Sequence, residues 1–160
     1  MNKILVTGGL GFIGSNLIKL LLSKKFYVIN LDNKSYASNV YNTSDFKNDK
    51  NYKFIKIDIN NKKRLIELLK KYKPIGIFNL AASTHVDRSI ESPKEFIQNN
   101  ILATFNLLEA LRGYSKINKN YRLVHVSTDE IYGDILKGSV KENYKINPSS
   151  PYAATKAASN

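Results

Sequence analysis

Two side chains near the end of the chain have the types and the spacing for proton transfer. Tyr152 and Lys156 lie four residues apart, so on a helix they share one face. A tyrosine hydroxyl ordinarily titrates near about 10. A neighbouring ammonium favours the phenolate and lowers that value, which makes the pair a base near neutral pH. Upstream, Ser127-Thr128-Asp129-Glu130 closes a strand-like segment. Thr128 can donate a hydrogen bond to the same substrate oxygen. If Asp129 and Glu130 both face a crevice, one stays protonated while the other ionises, which supplies the acid and base of an elimination. The simpler alternatives are a tyrosine packed beside a surface lysine, and two carboxylates that point apart with one capping a turn.

A second set of residues suits a phosphate. Thr7-Gly8-Gly9-Leu10-Gly11-Phe12-Ile13-Gly14 holds two glycine registers, Gly9/Gly11/Gly14 as G-x-G-x-x-G and Gly8/Gly11/Gly14 as G-x-x-G-x-x-G. Glycines allow a tight turn and let the backbone approach a pyrophosphate, while the next helix aims its positive end at that charge. Asp32 follows Gly14 by 18 residues, near the roughly 20 expected of a carboxylate that binds a ribose hydroxyl. An acid there favours NAD, because NADP brings a phosphate that it repels. The alternative is a glycine-rich turn with a solvent-facing aspartate. Asp58 closes another strand and either reaches an adenine edge or caps a turn.

The elements that must carry these residues alternate. Strands are expected at Lys3–Thr7, Phe26–Leu31, Lys53–Ile57, Ile75–Leu80 and Arg122–Ser127. Helices are expected at Phe12–Lys24, with Ile13, Leu17, Leu20 and Leu21 as its apolar stripe, and at Lys62–Tyr72, with Leu65, Leu68, Leu69 and Tyr72. A further helix has Ser92 as its cap, Pro93 at its first position, Glu95 completing a capping box and Gly113 at its end. Its stripe reads Ile97, Ile101, Phe105, Leu108 and Leu111. Ser150-Pro151 opens another. Asn33–Tyr52 and Gly133–Ser149 read as polar loops. This pattern predicts an α/β fold: a doubly wound parallel sheet, Rossmann-like, with helices on both faces.

Composition narrows the classes. The 160 residues suit one domain, and 42% hydrophobic with 24% charged residues is a globular balance. No apolar run reaches the roughly 18 residues of a membrane span, and the N-terminus lacks a secretory signal pattern. The absence of cysteine excludes disulfides and thiolate chemistry; a cytoplasmic location is compatible with it. The net charge of +12 comes from lysines scattered over helix ends and loops rather than along one stripe. It is read as a solvated surface that attracts acidic ligands, not as a nucleic-acid face. No metal cluster is visible. His125, between Val124 and Val126 in a strand, reads as structural.

The same residues resemble a known family. The glycine run, Leu31-Asp32, Asn79-Leu80-Ala81-Ala82, Thr128 and Tyr152/Lys156 resemble the extended short-chain dehydrogenase/reductase superfamily. Ser35-Tyr36-Ala37, His85-Val86-Asp87-Arg88-Ser89, Ser127 to Gly133 and Ser149-Ser150-Pro151-Tyr152 are similar to the dTDP-glucose 4,6-dehydratases. The Thr-Asp-Glu run separates these from the 4-epimerases. The resemblance implies that Gly8, Gly11, Phe12, Ile13, Gly14, Asp32, Asn33, Lys34, Ser35, Asp58, Ile59, Leu80, Ala81, Ala82, Ser83, Thr84, Asn99, Tyr152 and Lys156 line an NAD site, with Thr84, His85 and Thr128 on the sugar. It implies that Tyr152, held by Lys156, takes the C4 hydroxyl proton. Glu130 would remove the C5 proton and Asp129 would protonate the departing C6 hydroxyl. The product would be a 4-keto-6-deoxy sugar, with the cofactor regenerated.

Four positions, Ser83, Thr84, Asn99 and Ala103, depart from the family pattern. Ala81-Ala82-Ser83-Thr84-His85 stands where Ala-Ala-Glu-Ser-His is frequent, Asn99 where Thr is common, and Ala103 where Gly is common. The family's second half, which holds the nucleotide base and most of the sugar, has no counterpart in 1–160. The expectation is therefore a truncated NAD-binding Rossmann domain over 1–160, part of an enzyme acting on a nucleotide-sugar and homodimeric when full-length. The resemblance places the helices from Pro93 and Pro151 at that dimer interface. The alternatives are a UDP-glucose 4,6-dehydratase, a sugar-nucleotide 4-epimerase, or an NAD-binding fragment without catalysis.

Overall fold

Short apolar runs bounded by Gly, Asn and Lys become five strands in the computed structural model, which describes residues 1–160. They are β1 (Lys3–Thr7), β2 (Tyr27–Asp32), β3 (Tyr52–Lys56), β4 (Gly76–Asn79) and β5 (Arg122–His125). Every pairing is parallel, and the order is β3-β2-β1-β4-β5. Thr7 lies opposite Leu31 on one side and Asn79 on the other. The order grows outward from β1 in both directions, so the chain reverses its direction of travel between β1 and β4. That is the switch point of a doubly wound sheet, where the crevice beyond the carboxyl ends takes ligands. Beyond their first residues β1 and β2 are buried throughout, as central strands covered on both faces must be. The edge strands keep Lys53, Arg122 and Val124 exposed.

The chain divides into two compact units, residues 1–81 with 106–126 and residues 82–105 with 127–160. The first holds the sheet. Its helix α1 (Phe12–Ser23) buries Gly14, Ser15, Ile18, Leu21 and Leu22. Ile13 and Leu20, expected in the stripe, are 63% and 54% exposed. Counting only large residues misplaced the face, because small Gly14 and Ser15 occupy its crowded first turn. Ile18, Leu21 and Leu22 join Ile4, Val6 and Val28 in one core cluster. Helix α2 (Lys62–Tyr72) buries Leu65, Leu68 and Leu69 as expected. The Asn61 side chain accepts from the Arg64 N–H at its start, and Lys73 adopts a left-handed φ of 49° at its end. The segment after β2 is more than a polar loop. It forms a 3-10 turn at Val40–Thr43 and buries Phe46 edge-on against Tyr52, with centroids 5.1 Å apart.

The second unit carries helix α3 (Val86–Glu91), which the sequence reading did not anticipate. Helix α4 (Pro93–Phe96), a π-helical turn (Ile97–Leu102) and α5 (Ala103–Tyr114) then follow without a break, and from Asn106 onward α5 belongs to the first unit. The capping box does not form: Ser92 makes no side-chain cap bond, and the Glu95 carboxylate instead accepts from Asn99 Nδ2 at 3.4 Å. The expected stripe is also displaced. Phe96, Asn100, Ala103, Thr104, Leu107, Ala110, Leu111 and Tyr114 are buried, whereas Ile97, Phe105 and Leu108 are about half exposed. This helix has two faces able to pack, and the buried one mixes Phe96, Leu107, Leu111 and Tyr114 with small and polar residues; of the expected stripe it keeps Leu111. Further along come a 3-10 turn (Asp129–Tyr132) and α6 (Pro151–Ala158). Ser150 Oγ caps α6 through the Ala153 N–H at 3.0 Å. The stretch after Gly133 is pinned where the Asn147 N–H donates to the Ile131 carbonyl at 2.9 Å. No helix is long and apolar enough to cross a membrane.

Candidate nucleotide-binding and catalytic residues

The glycine run leaves β1 at the switch point and turns into α1. Gly8 has a φ of 71°, and a Cβ there would lie 2.8 Å from the Ala81 nitrogen. A Cβ at Gly14 would enter the Gly8 carbonyl oxygen and the Gly9 backbone. The run is therefore a backbone-on-backbone cradle that side chains would fill. The Thr7 hydroxyl fastens its far wall: it donates to Asn79 Oδ1 at 2.6 Å and accepts from the Leu80 and Ala81 N–H groups at 3.2 and 3.1 Å. Asn79 Nδ2 meets His125 Nδ1 at 2.9 Å, which ties three strands together and gives His125 a structural place. Gly11, at the helix N-cap, offers no side chain to the first-turn N–H groups. Those donors and the helix dipole point outward, suited to an anion. Phe12 and Ile13 stand 81% and 63% exposed beside them.

Asp32 ends β2 and is 6% exposed. Its Oδ2 accepts from the Leu10 N–H at 3.0 Å. Its Oδ1 accepts from the Lys34 N–H at 2.8 Å and the Ser38 hydroxyl at 2.6 Å. The carboxylate is thus locked against the glycine run rather than facing solvent. Asn33 Oδ1 accepts from the Ser35 N–H, so the Asp32–Ser35 segment is a tight, self-bonded turn. Asp58 is exposed and caps a turn through the Asn60 N–H at 2.8 Å, while Ile59 beside it is buried. These residues fit a dinucleotide: a pyrophosphate cradle, a helix end and a fixed carboxylate.

In the second unit, Tyr152 and Lys156 lie one turn apart on α6 and are 7% and 4% exposed. Lys156 is not a surface lysine, and burial pushes its ammonium below the ordinary value of 10.5. The Tyr152 ring packs edge-on against Phe96 at 6.4 Å, and its N–H donates to Ser89 Oγ at 3.0 Å. Thr128 caps the following 3-10 turn: its hydroxyl accepts from the Glu130 N–H and donates to Asp129 Oδ1, both at 3.3 Å. Asp129 and Glu130 are exposed, and Thr84 and His85 are exposed ahead of α3. No group of three His, Cys, Asp or Glu residues is placed to hold a metal ion.

A family profile described as GDP-mannose 4,6 dehydratase matches residues 5–160. The chain belongs to that family. It is 42% identical to the dTDP-glucose 4,6-dehydratase of Neisseria meningitidis serogroup B, over 99% of this chain and 47% of that protein. Among solved structures, it is similar to the dTDP-glucose 4,6-dehydratase of Streptomyces venezuelae with NAD bound, at a TM-score of 0.89 and 39% identity over 98% of this chain and 49% of that one. It is also similar to the UDP-glucose 4-epimerase of Thermus thermophilus in complex with NAD, at a TM-score of 0.85 and 34% identity over 98% and 48%. The chain thus spans about half the length of the curated relatives it matches.

Within this member of the GDP-mannose 4,6 dehydratase family, the residues that hold the Tyr152 helix escaped the sequence reading. Asn100, 1% exposed, accepts from the Ser83 N–H at 2.8 Å through Oδ1 and donates through Nδ2 to the Ser83 carbonyl at 3.0 Å and Thr155 Oγ1 at 2.9 Å. It sits in the π-helical turn, a local distortion frequent at functional sites. An asparagine inside an apolar helix pattern was the available signal. Ser83 and Asn99, two of the departures from the family pattern, are one feature in space: Asn99 Nδ2 donates to Ser83 Oγ at 3.0 Å. Ala82 lies directly before Ser83 and is half-buried.

Proposed function

We propose that residues 1–160 are the NAD-binding part of an enzyme that dehydrates a nucleoside-diphosphate glucose, with dTDP-glucose the preferred substrate, to the 4-keto-6-deoxy sugar. The observation that carries the reading is the buried Tyr152–Lys156 pair on one helix face, in a chain whose relatives are dTDP-glucose 4,6-dehydratases. A desolvated lysine on an active-site helix serves a neighbouring group rather than the solvent. NAD, when bound, supplies the oxidation at sugar C4 and the matching reduction at C6. Tyr152, as phenolate, takes the C4 hydroxyl proton, and Lys156 holds it in that form. Thr128 donates to the same oxygen. Glu130 removes the C5 proton, made acidic by the adjacent ketone, and Asp129 protonates the departing C6 hydroxyl. Gly8, Gly11 and Gly14 cradle the pyrophosphate, and Asp32 takes the ribose hydroxyls.

The exposed Ile97, Phe105 and Leu108 on α5 and the turn before it suit a homodimer face. Two measurements test the function. Calorimetry of NAD+ against the chain and its Asp32→Ala variant should show binding that the variant weakens by about ten-fold or more, the size of a lost charge-assisted hydrogen bond. Mass spectrometry of dTDP-glucose incubated with the whole enzyme should show loss of one water. A product of unchanged mass would sink the dehydratase reading in favour of a 4-epimerase.

A further inference from the structure

Asp129 and Glu130 are exposed, so no packing of their own side chains fixes where the two carboxylates stand. They ride on a single 3-10 turn, Asp129–Tyr132, which is too short to hold its shape unaided. The Thr128 hydroxyl closes its start, and the Gly133 N–H closes its end by donating to the Glu130 carbonyl at 3.1 Å. Gly133 does so at a φ of 74° and a ψ of −163°, a conformation essentially confined to glycine. Its missing side chain matters a second time, because a Cβ there would run into the Asn147 carbonyl oxygen. The polar segment 134–149 forms no helix or strand, yet it returns to this turn at two places. The Asn147 N–H donates to the Ile131 carbonyl at 2.9 Å, while the Asn147 carbonyl lies against Gly133. The Tyr132 hydroxyl donates to the Glu142 carbonyl at 3.2 Å, and its ring meets Tyr144 edge-on at 6.3 Å. Between these ties Ile131 is buried and anchors the middle of the turn.

A long stretch without secondary structure in a compact chain is kept for a function when it is ordered, and this one is tied to the residues that carry two carboxylates. We propose that Tyr132, Gly133 and the segment 142–147 are positioning elements for the elimination step: they hold Asp129 at the sugar's C6 oxygen and Glu130 at its C5 hydrogen, and they take no part in the oxidation at C4. The proposal rests on the reading of Asp129 and Glu130 as acid and base. The oxidation is assigned to Tyr152 and Lys156, which ride on α6, and α6 has its own Ser150 cap and its own buried face. Loosening the turn therefore separates the two steps, slowing the loss of water while the C4 oxidation continues.

The test compares the whole enzyme with its Gly133→Ala and Tyr132→Phe/Tyr144→Ala variants, each incubated with NAD+ and dTDP-glucose. Gly133→Ala pushes Asn147 off the turn. The double variant removes the Tyr132–Glu142 bond and the ring contact at side chains near the surface, Tyr144 being 50% exposed, and it decides the matter if Gly133→Ala does not fold. Loss of water, followed by mass spectrometry, should slow by about ten-fold to a hundred-fold, the cost of a small misplacement of reacting groups. Reduced nicotinamide, read by its near-ultraviolet absorbance, should accumulate in the variants and not in the parent enzyme, because C4 is still oxidised and the next step is delayed. Turnover that is unchanged in the double variant would overturn the proposal. So would slowed turnover without accumulated reduced cofactor, which is the mark of a merely structural role. A parent enzyme that removes no water from the sugar would overturn the acid–base reading and the positioning proposal together.

Discussion

Replacing Asn100 with leucine tests whether the π-helical turn is what holds the Tyr152 helix. The side chain is 1% exposed and makes three hydrogen bonds, two to the Ser83 backbone and one to Thr155 Oγ1. Leucine has nearly the same volume, so little cavity term arises. The loss is the three bonds, each worth about 0.5–1.5 kcal/mol, and a stranded Ser83 N–H that costs about 1–3 kcal/mol more. Thr155 keeps a partner, since its hydroxyl still donates to the Tyr152 carbonyl at 2.8 Å. The expected destabilisation is therefore about 3–5 kcal/mol, which lowers Tm by about 6–20 °C for a chain of this length. Thermal and urea unfolding followed by circular dichroism would measure it. Asn99→Ala, which removes a half-buried side chain with longer contacts, should cost about 1 kcal/mol or less. A loss below about 1 kcal/mol for Asn100→Leu would refute the idea that this asparagine organises the second unit.

Other variants probe other links. Gly14→Ala puts a methyl into the Gly8 carbonyl, so the glycine cradle must open, and NAD+ affinity in calorimetry should fall by about a hundred-fold or more. Lys156→Met concerns pH. Burial lowers the folded-state value of Lys156, so below 10.5 the unfolded chain binds more protons at this position. Stability from this residue accordingly rises with pH through the window between the lowered value and 10.5, and urea unfolding across pH should show that rise weakened in Lys156→Met. Phe105→Glu places a charge on the exposed face of α5, where the side chain is 56% exposed. It should leave Tm nearly unchanged while abolishing a homodimer in sedimentation; an unaltered dimer would place the interface elsewhere.

The strands, the glycine cradle and the Asp32 position were legible in the sequence because their signals are local. A buried parallel strand needs a short apolar run, and a backbone approach to phosphate needs glycine at set intervals. The Tyr152/Lys156 pair was legible for the same reason, since four-residue spacing on a helix defines a face. The tertiary structure decided what depends on partners distant in the chain. It buried the face of the helix after Pro93 that carries Phe96, Asn100 and Leu107 rather than the Ile97–Phe105–Leu108 face, and Ser83 and Thr155 supply the polar contacts that let Asn100 be buried. It turned Glu95 away from a capping box toward Asn99. It buried Lys156, which spacing alone leaves as readily on the surface. It also gathered Lys34, Lys47 and Lys53 around one cavity, from a lysine content that in sequence reads only as scattered charge. Periodicity reports which faces can be buried, and only the packed chain selects the face that is.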